Sequence, residues 1–259
     1  ELNELFSNNY DTLIYALGPD DRETPNAPAY NFFYERLVKK CKNILISAKQ
    51  SGIKNVVVLS SYFAYFNKKL SGKLAKYHPY IKCRKEQQEK CSLLCDDNFS
   101  VSFLELPYIF GLAEGRTPIW KASLISHFDG FKNLYFPSGG GTAIIDKVGV
   151  AEAIVACAFF GESGSCYPIS TDNITFKELL KLMLKGMGDK RKVVQVPAFL
   201  CSFIAKFMAK KQLKQGKEPG LYYPKVMTQI LNQKFYIDPE KSMENLHFKE
   251  LNYRGGNNP

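Results

Sequence analysis

Along the first hundred positions, short apolar runs closed by turn residues alternate with longer stretches whose apolar residues recur every three or four. Asp11 to Leu17 (DTLIYAL) stops at Gly18-Pro19 and predicts a buried strand. From Ala29 to Gln50 the residues Phe33, Leu37, Val38, Cys41, Ile44, Leu45 and Ala48 keep helical spacing, and Ser51-Gly52 supplies the stop of a long helix. Lys54 to Ser60 is dominated by Val56, Val57, Val58 and Leu59, the pattern of a strand covered on both faces. A basic helix from about Tyr80 to Cys95 and a third strand, Val101 to Leu106, follow, the strand ended by Pro107. Strand and helix alternating in this way imply βαβ units and a parallel sheet.

Beyond Gly111 the spacing becomes irregular. It predicts a helix at Ile119 to Phe128, a strand at Asn133 to Phe136, a strand at Thr142 to Ile145 after Ser138-Gly-Gly-Gly141, and an Ala-rich helix at Lys147 to Phe160. A brief strand at Tyr167 to Ile169 and a helix at Thr175 to Leu184 come next, Thr175 and Glu178 standing at capping-box spacing. The fold class is therefore α/β, an incomplete doubly wound parallel sheet in residues 1–111 with a smaller α+β lobe in residues 112–259. Segment 142–160 returns to the core of the sheet.

Composition narrows the partners. With 45% hydrophobic and 23% charged residues, the chain matches a globular protein, and no apolar run reaches the roughly 20 residues that span a bilayer. The net charge of +10 raises the question of a polyanion. Its lysines, however, concentrate at Lys68 to Lys90 and Lys181 to Lys217, interleaved with apolar residues as on the outer faces of amphipathic helices. No nucleic-acid motif accompanies them, so no nucleic-acid partner is expected. Pro197 to Lys211 (PAFLCSFIAKFMAKK) has the composition of a surface anchor, yet packing against the small lobe is the simpler expectation, without stable membrane insertion. Seven scattered cysteines and three histidines show no zinc spacing, and no secretory signal opens the sequence; a cytoplasmic protein with free thiols is expected.

Candidate chemistry lies where the second strand ends. Val58-Leu59-Ser60-Ser61 is followed by His78-Pro79-Tyr80-Ile81-Lys82-Cys83-Arg84, and ligands in open α/β sheets sit beyond the carboxyl ends of strands. Leu106-Pro107-Tyr108-Ile109-Phe110-Gly111, Ile144-Ile145-Asp146-Lys147-Val148 and Asp238 to Phe248 follow in order. In this arrangement the chain resembles an extended short-chain dehydrogenase/reductase of the NAD-dependent epimerase/dehydratase type, over about Asp11 to Phe248. The resemblance implies a Rossmann-like sheet, an NAD or NADP cofactor and a small-molecule substrate, a sugar nucleotide or related alcohol. It makes Ser61 the residue that holds the substrate oxygen and Tyr80 the proton donor and acceptor, its phenol acidified by a nearby cation. Arg84 then stands where the family has lysine, and the two side chains are not equivalent. Ala16 and Gly18 would lie under the cofactor's adenosine-ribose side, with Pro107 to Ile109 near the nicotinamide. Segments around Gly115 to Trp120 and Ser138 to Thr142 would select the substrate. A homodimer through the Ala29 to Gln50 and Tyr80 to Cys95 helices is implied as well.

Two features run against the family pattern. The one strict Tyr-x-x-x-Lys, Tyr65 to Lys69, falls four residues after Ser61, where an exit loop is expected, so Tyr80 is preferred. A Gly-rich turn opening a helix, which receives a dinucleotide's pyrophosphate, is not found anywhere in the sequence. The chain is thus expected to begin in mid-domain, about 55 to 65 residues late by the size of βαβ units. These residues alone should bind the cofactor poorly and leave the Asp11 to Leu17 edge unpaired. A non-catalytic dinucleotide-sensing or scaffold protein of the same fold is the alternative reading.

Overall fold

Four strands lie side by side in the order β1 (Thr12–Tyr15), β2 (Asn55–Ser61), β3 (Ser100–Leu106) and β7 (Cys166–Pro168), every neighbouring pair parallel. The computed structural model that shows this describes residues 6, 8–111, 120 and 124–246. Alternation along β2 decides what covers each face of the sheet. Val56 and Val58 join Val101 and Phe103 against Cys41, Leu45 and Ala48 on one helix and Cys91 on another. Val57 and Leu104 point the other way, into Ala153, Ala156 and Cys157. The runs of consecutive apolar residues in β2 and β3 are therefore strands buried on both sides, as the sequence predicts.

Helix α1 runs through Ala29–Phe33, a π-wound Tyr34–Lys39, and Lys40–Gln50. Helix α2 (Tyr62–Lys69) leaves β2 directly, α3 (Pro79–Ser92) packs beside α1, and α4 (Lys147–Phe160) is capped by Asp146, which accepts from the Gly149 N–H at 2.7 Å. Among the described residues β1 pairs with β2 alone and leaves Ile14 exposed, the open edge the sequence predicts.

A second sheet adjoins the first. After Pro107 the chain forms β4 (Tyr108–Phe110), which pairs parallel with β6 (Gly141–Asp146); β10 (Lys234–Phe235) flanks β6 and β8 (Asp172–Thr175) runs antiparallel to it. A two-stranded parallel sheet joins β5 (Asn133–Pro137) to β9 (Lys192–Val196). Helix α5 (Phe176–Gly186) begins with the expected capping box of Thr175 and Glu178. Helices α6 (Ala198–Lys214), α7 (Tyr223–Gln229) and α8 (Pro239–Glu244) are the last elements among the described residues.

Several expectations change. The exit loop expected after Ser61 is helix α2, and β4, β8, β9 and β10 are strands that apolar patterning leaves unmarked. Of the predicted helix at Ile119 to Phe128, residues 119 and 121–123 lie outside the described residues, and Ser126–Phe128 is a 3₁₀ turn. Helix α6 packs on α7 and β5 of the small lobe, as expected, but through a narrow stripe that holds Ala205 and Ala209.

Candidate active site

Because β1, β2 and β3 are parallel, with Tyr15 opposite Val58 and Ser61 opposite Leu106, their carboxyl ends open toward one side of the sheet. Three loops leave from that side: Ala16 to Arg22 after β1, the turn at Ser61 after β2, and Pro107 after β3. Helix α3 brings Tyr80 to it.

Ser61 is the last residue of β2 and the N-cap of α2, accepting from the Phe63 N–H at 3.3 Å. An extended backbone at this position (φ −129°, ψ 138°) turns the strand straight into the helix. Ser61 also lies close enough to the Tyr80 phenol to pull that phenol's pKa down.

Tyr80 stands in the first turn of α3, behind Pro79, and its backbone N–H donates to the Gly220 carbonyl at 3.0 Å. The ring meets Phe33 edge-on, with centroids 5.6 Å apart. One turn later Arg84 is buried, its Nε donating to the Tyr80 hydroxyl at 3.0 Å. Nη1 of Arg84 donates to the Leu59 carbonyl at 3.2 Å and to Gln87 Oε1 at 3.0 Å. Tyr80 and Arg84 are thus in direct contact, with Ser61 at the end of the neighbouring strand.

The electrostatics differ from the expectation. Burial pushes the Tyr80 phenol above its usual value, and the charge of Asp21 adds to this, while Arg84 and Ser61 pull it down without cancelling the burial. At neutral pH Tyr80 is a protonated hydrogen-bond donor. Asp21, in the loop after Gly18-Pro19, escapes the sequence reading altogether. Burial and the neighbouring Asp20 raise its carboxyl to about 6, against the pull of Arg22 and Arg84. Its charge also raises Tyr62 and Tyr108, and the Tyr62 hydroxyl is within 3.0 Å of Thr142 Oγ1. Asp20-Asp21-Arg22 is the only sequence signal for this carboxyl, and it reads as an ordinary polar turn.

The remaining residues are distributed along the same side of the sheet. Ala16 is exposed, and Gly18 has φ +128°, where a Cβ would come within 2.6 Å of Leu37 Cδ2. Pro107 is buried, and the Ile109 carbonyl accepts from Trp120 Nε1 at 2.6 Å. Of the segments expected to select substrate, residues 115–119 lie outside the described residues, while Ser138 to Thr142 leads into β6. Tyr65 and Lys69 do share a helix one turn apart, with Lys69 Nζ 5.1 Å from the Tyr65 ring centroid, which corrects the exit-loop argument against them. Tyr65 packs against the apolar core, and Lys69 is exposed. His78 is buried and neutral, its Nδ1 accepting from the Tyr222 N–H at 3.1 Å and its pKa lowered to about 4 by burial. Among the described residues no cluster of three or more His, Cys, Asp or Glu side chains could hold a metal ion.

No family model and no curated protein sequence matches the chain. Solved structures do. The crystal structure of gox2253 is 15% identical, with 96% of this chain and 77% of that one covered at a TM-score of 0.69. RMD from Pseudomonas aeruginosa, complexed with NADPH, is 13% identical over 95% of this chain and 78% of its own, at 0.62. UDP-glucuronic acid 4-epimerase from Bacillus cereus, in complex with NAD, is 12% identical over 96% of this chain and 71% of its own, at 0.64. At such identities the likeness is one of architecture, and the chain has a Rossmann-like α/β fold similar to that of these proteins.

Proposed function

We propose that this chain serves an NAD(P)-dependent oxidoreductase or epimerase acting on a carbinol carbon, with a sugar nucleotide as the leading substrate class. The observation that carries the reading is the hydrogen bond from Arg84 Nε to the phenolic oxygen of Tyr80, with Ser61 close enough to pull that phenol's pKa down. Similar folds solved with NADPH and with NAD support it.

The residues present suit the reactive end of a nicotinamide dinucleotide. Arg84 spends Nε and Nη1 on protein partners, and Nη2 makes no hydrogen bond among the described residues, which suits a ribose hydroxyl. Ala16, Gly18, Pro107 and Ile109 would border the cofactor. A Gly-rich pyrophosphate cradle is not encoded in these 259 residues. Bound there, the dinucleotide would accept or return a hydride at the substrate carbon.

The chain's own groups handle the proton. A Tyr80 phenol kept protonated by burial donates to the substrate oxygen as a carbonyl becomes an alcohol, and the reverse reaction needs its phenolate, which Arg84 stabilises. Ser61 holds that oxygen in place. In the protein carrying this chain, Tyr80→Phe should reduce turnover of a nucleotide-sugar substrate by a factor of about 100 or more while NADH or NADPH still binds by fluorescence titration. Turnover that survives the substitution removes Tyr80 from the chemistry. Failure of both dinucleotides to bind removes the reading itself. Arg84, held by three protein partners in the lysine position, favours a second reading, a dinucleotide sensor; binding without turnover of any alcohol would select it.

A further inference from the structure

Helix α6 is turned inside out by the standards of a surface helix. Its buried residues are Ala205 and Ala209, four apart on one stripe, so it rests on its neighbours through its smallest side chains. Its largest face water, with Phe199, Phe203 and Phe207 at 67%, 59% and 59% exposure and Ile204 and Met208 also exposed. A contiguous apolar surface of this kind marks a contact site.

The polarity of α6 changes along its axis as well as around it. Apart from Ser202 and Lys206, the first half is apolar; Lys210, Lys211 and Lys214 stand in the second. At 100° per residue Phe203, Phe207, Lys210 and Lys214 project within one outward sector. From Lys192 to Lys217 the sequence has no carboxylate, and none of these helix lysines takes part in an ion pair among the described residues. A cavity of about 210 Å³ lies between α6 and Tyr222, walled by Phe203, Phe207 and Leu213, with Lys206 and Lys210 also lining it.

We propose that α6 docks the protein reversibly on an anionic phospholipid surface. The phenylalanines enter the interface while the lysines stay at headgroup level and find there the negative charge that the protein does not supply. No helix among the described residues is long and apolar enough to cross a membrane, so the contact is with the surface of the bilayer. A second copy of the chain is a poorer occupant, since two α6 faces would bring together lysines from both helices and a carboxylate from neither.

Co-sedimentation with phosphatidylcholine vesicles, with and without about one third phosphatidylserine, tests the proposal. The protein should pellet with the phosphatidylserine vesicles at low salt and leave them as ionic strength rises. Lys210→Glu with Lys214→Glu, and separately Phe203→Ser with Phe207→Ser, should each lower the partition about tenfold or more with unchanged circular dichroism, since these side chains face solvent. No pelleting with the anionic vesicles at low salt overturns the proposal. So does binding that neither double variant weakens, or a lipid-free dimer that Phe203→Ser dissolves, which would assign the face to a second copy.

Discussion

Arg84 ties helix α3 to strand β2 through Leu59, whose carbonyl accepts from its Nη1 at 3.2 Å. The same guanidinium holds Gln87 and the Tyr80 hydroxyl, so one planar side chain sets the distance between the helix that carries the tyrosine and the strand that carries Ser61. An ammonium group is a point with three donors and cannot span these partners in their fixed directions. Arg84→Lys restores the more common residue of the resembling family, yet here it should destabilise the protein by about 1 to 3 kcal/mol in urea unfolding and leave turnover no higher. A lysine variant as stable as the parent and faster would show that the three-way anchorage is dispensable.

Asp21 opposes Arg84 across the same phenol. With a carboxyl raised to about 6, it is mostly ionised at neutral pH, where its charge helps to keep Tyr80 protonated. Asp21→Asn removes that charge and leaves the burial in place. The Tyr80 ionisation, read as the difference in tyrosinate absorbance between the Asn variant and the same variant carrying Tyr80→Phe, should move to lower pH by up to about one unit. A titration unmoved by the change would place Asp21 outside electrostatic reach of the site.

What the sequence discloses and what it hides divide along physical lines. The consecutive valines of β2 announce a strand covered on both faces, because no other local structure buries Val56, Val57 and Val58 together. Helix α2 is silent: YFAYFNKK has the composition of a strand, and its helix depends on the Ser61 cap and on Phe66 stacking against the distant Phe235, with centroids 4.3 Å apart. Strand β10 has two residues and no periodicity to detect; Lys234 and Phe235 become a strand by pairing with Gly141 and Thr142. Pairing Ser61 with Tyr80 rests on the family resemblance, since nothing local links a strand end to a helix start so far along the chain. Asp21 could not be foreseen, because its carboxyl is perturbed by what the fold packs around it.

Glu105 makes stability depend on pH. It is buried near the end of β3, accepts from Gln88 Nε2 at 2.9 Å, and has its pKa raised to about 7 by that burial. The unfolded carboxyl titrates near about 4.3, so the folded protein keeps a proton that the unfolded chain releases. The stability this group contributes is whole below about 4.3 and is lost as pH rises through 7, by up to about 3 kcal/mol. Glu105→Gln keeps an oxygen that can accept from Gln88 and cannot ionise. Urea unfolding of the two proteins between pH 5 and 8 should show the parent falling relative to the variant, and parallel curves would refute the assignment.

Gly220 closes the site from the far end of the sequence. Its carbonyl accepts the Tyr80 N–H at 3.0 Å, and a Cβ added to it would meet Phe33 Cζ at 2.6 Å, Phe33 Cε2 at 2.8 Å and the Tyr80 Cβ at 3.1 Å. Phe33 is wholly buried, so its ring has little room to yield. Gly220→Ala should therefore push on the first turn of α3 and cost about 1 to 3 kcal/mol of stability through overpacking. The displacement bears on Tyr80 itself, so its contact with Ser61 should loosen and turnover should fall by more than the loss of folded protein accounts for. Phe33→Leu in the same chain vacates the space the new methyl needs and should recover part of both losses. Activity that simply follows the folded fraction in all three variants would mean that Gly220 supports the fold without positioning the tyrosine.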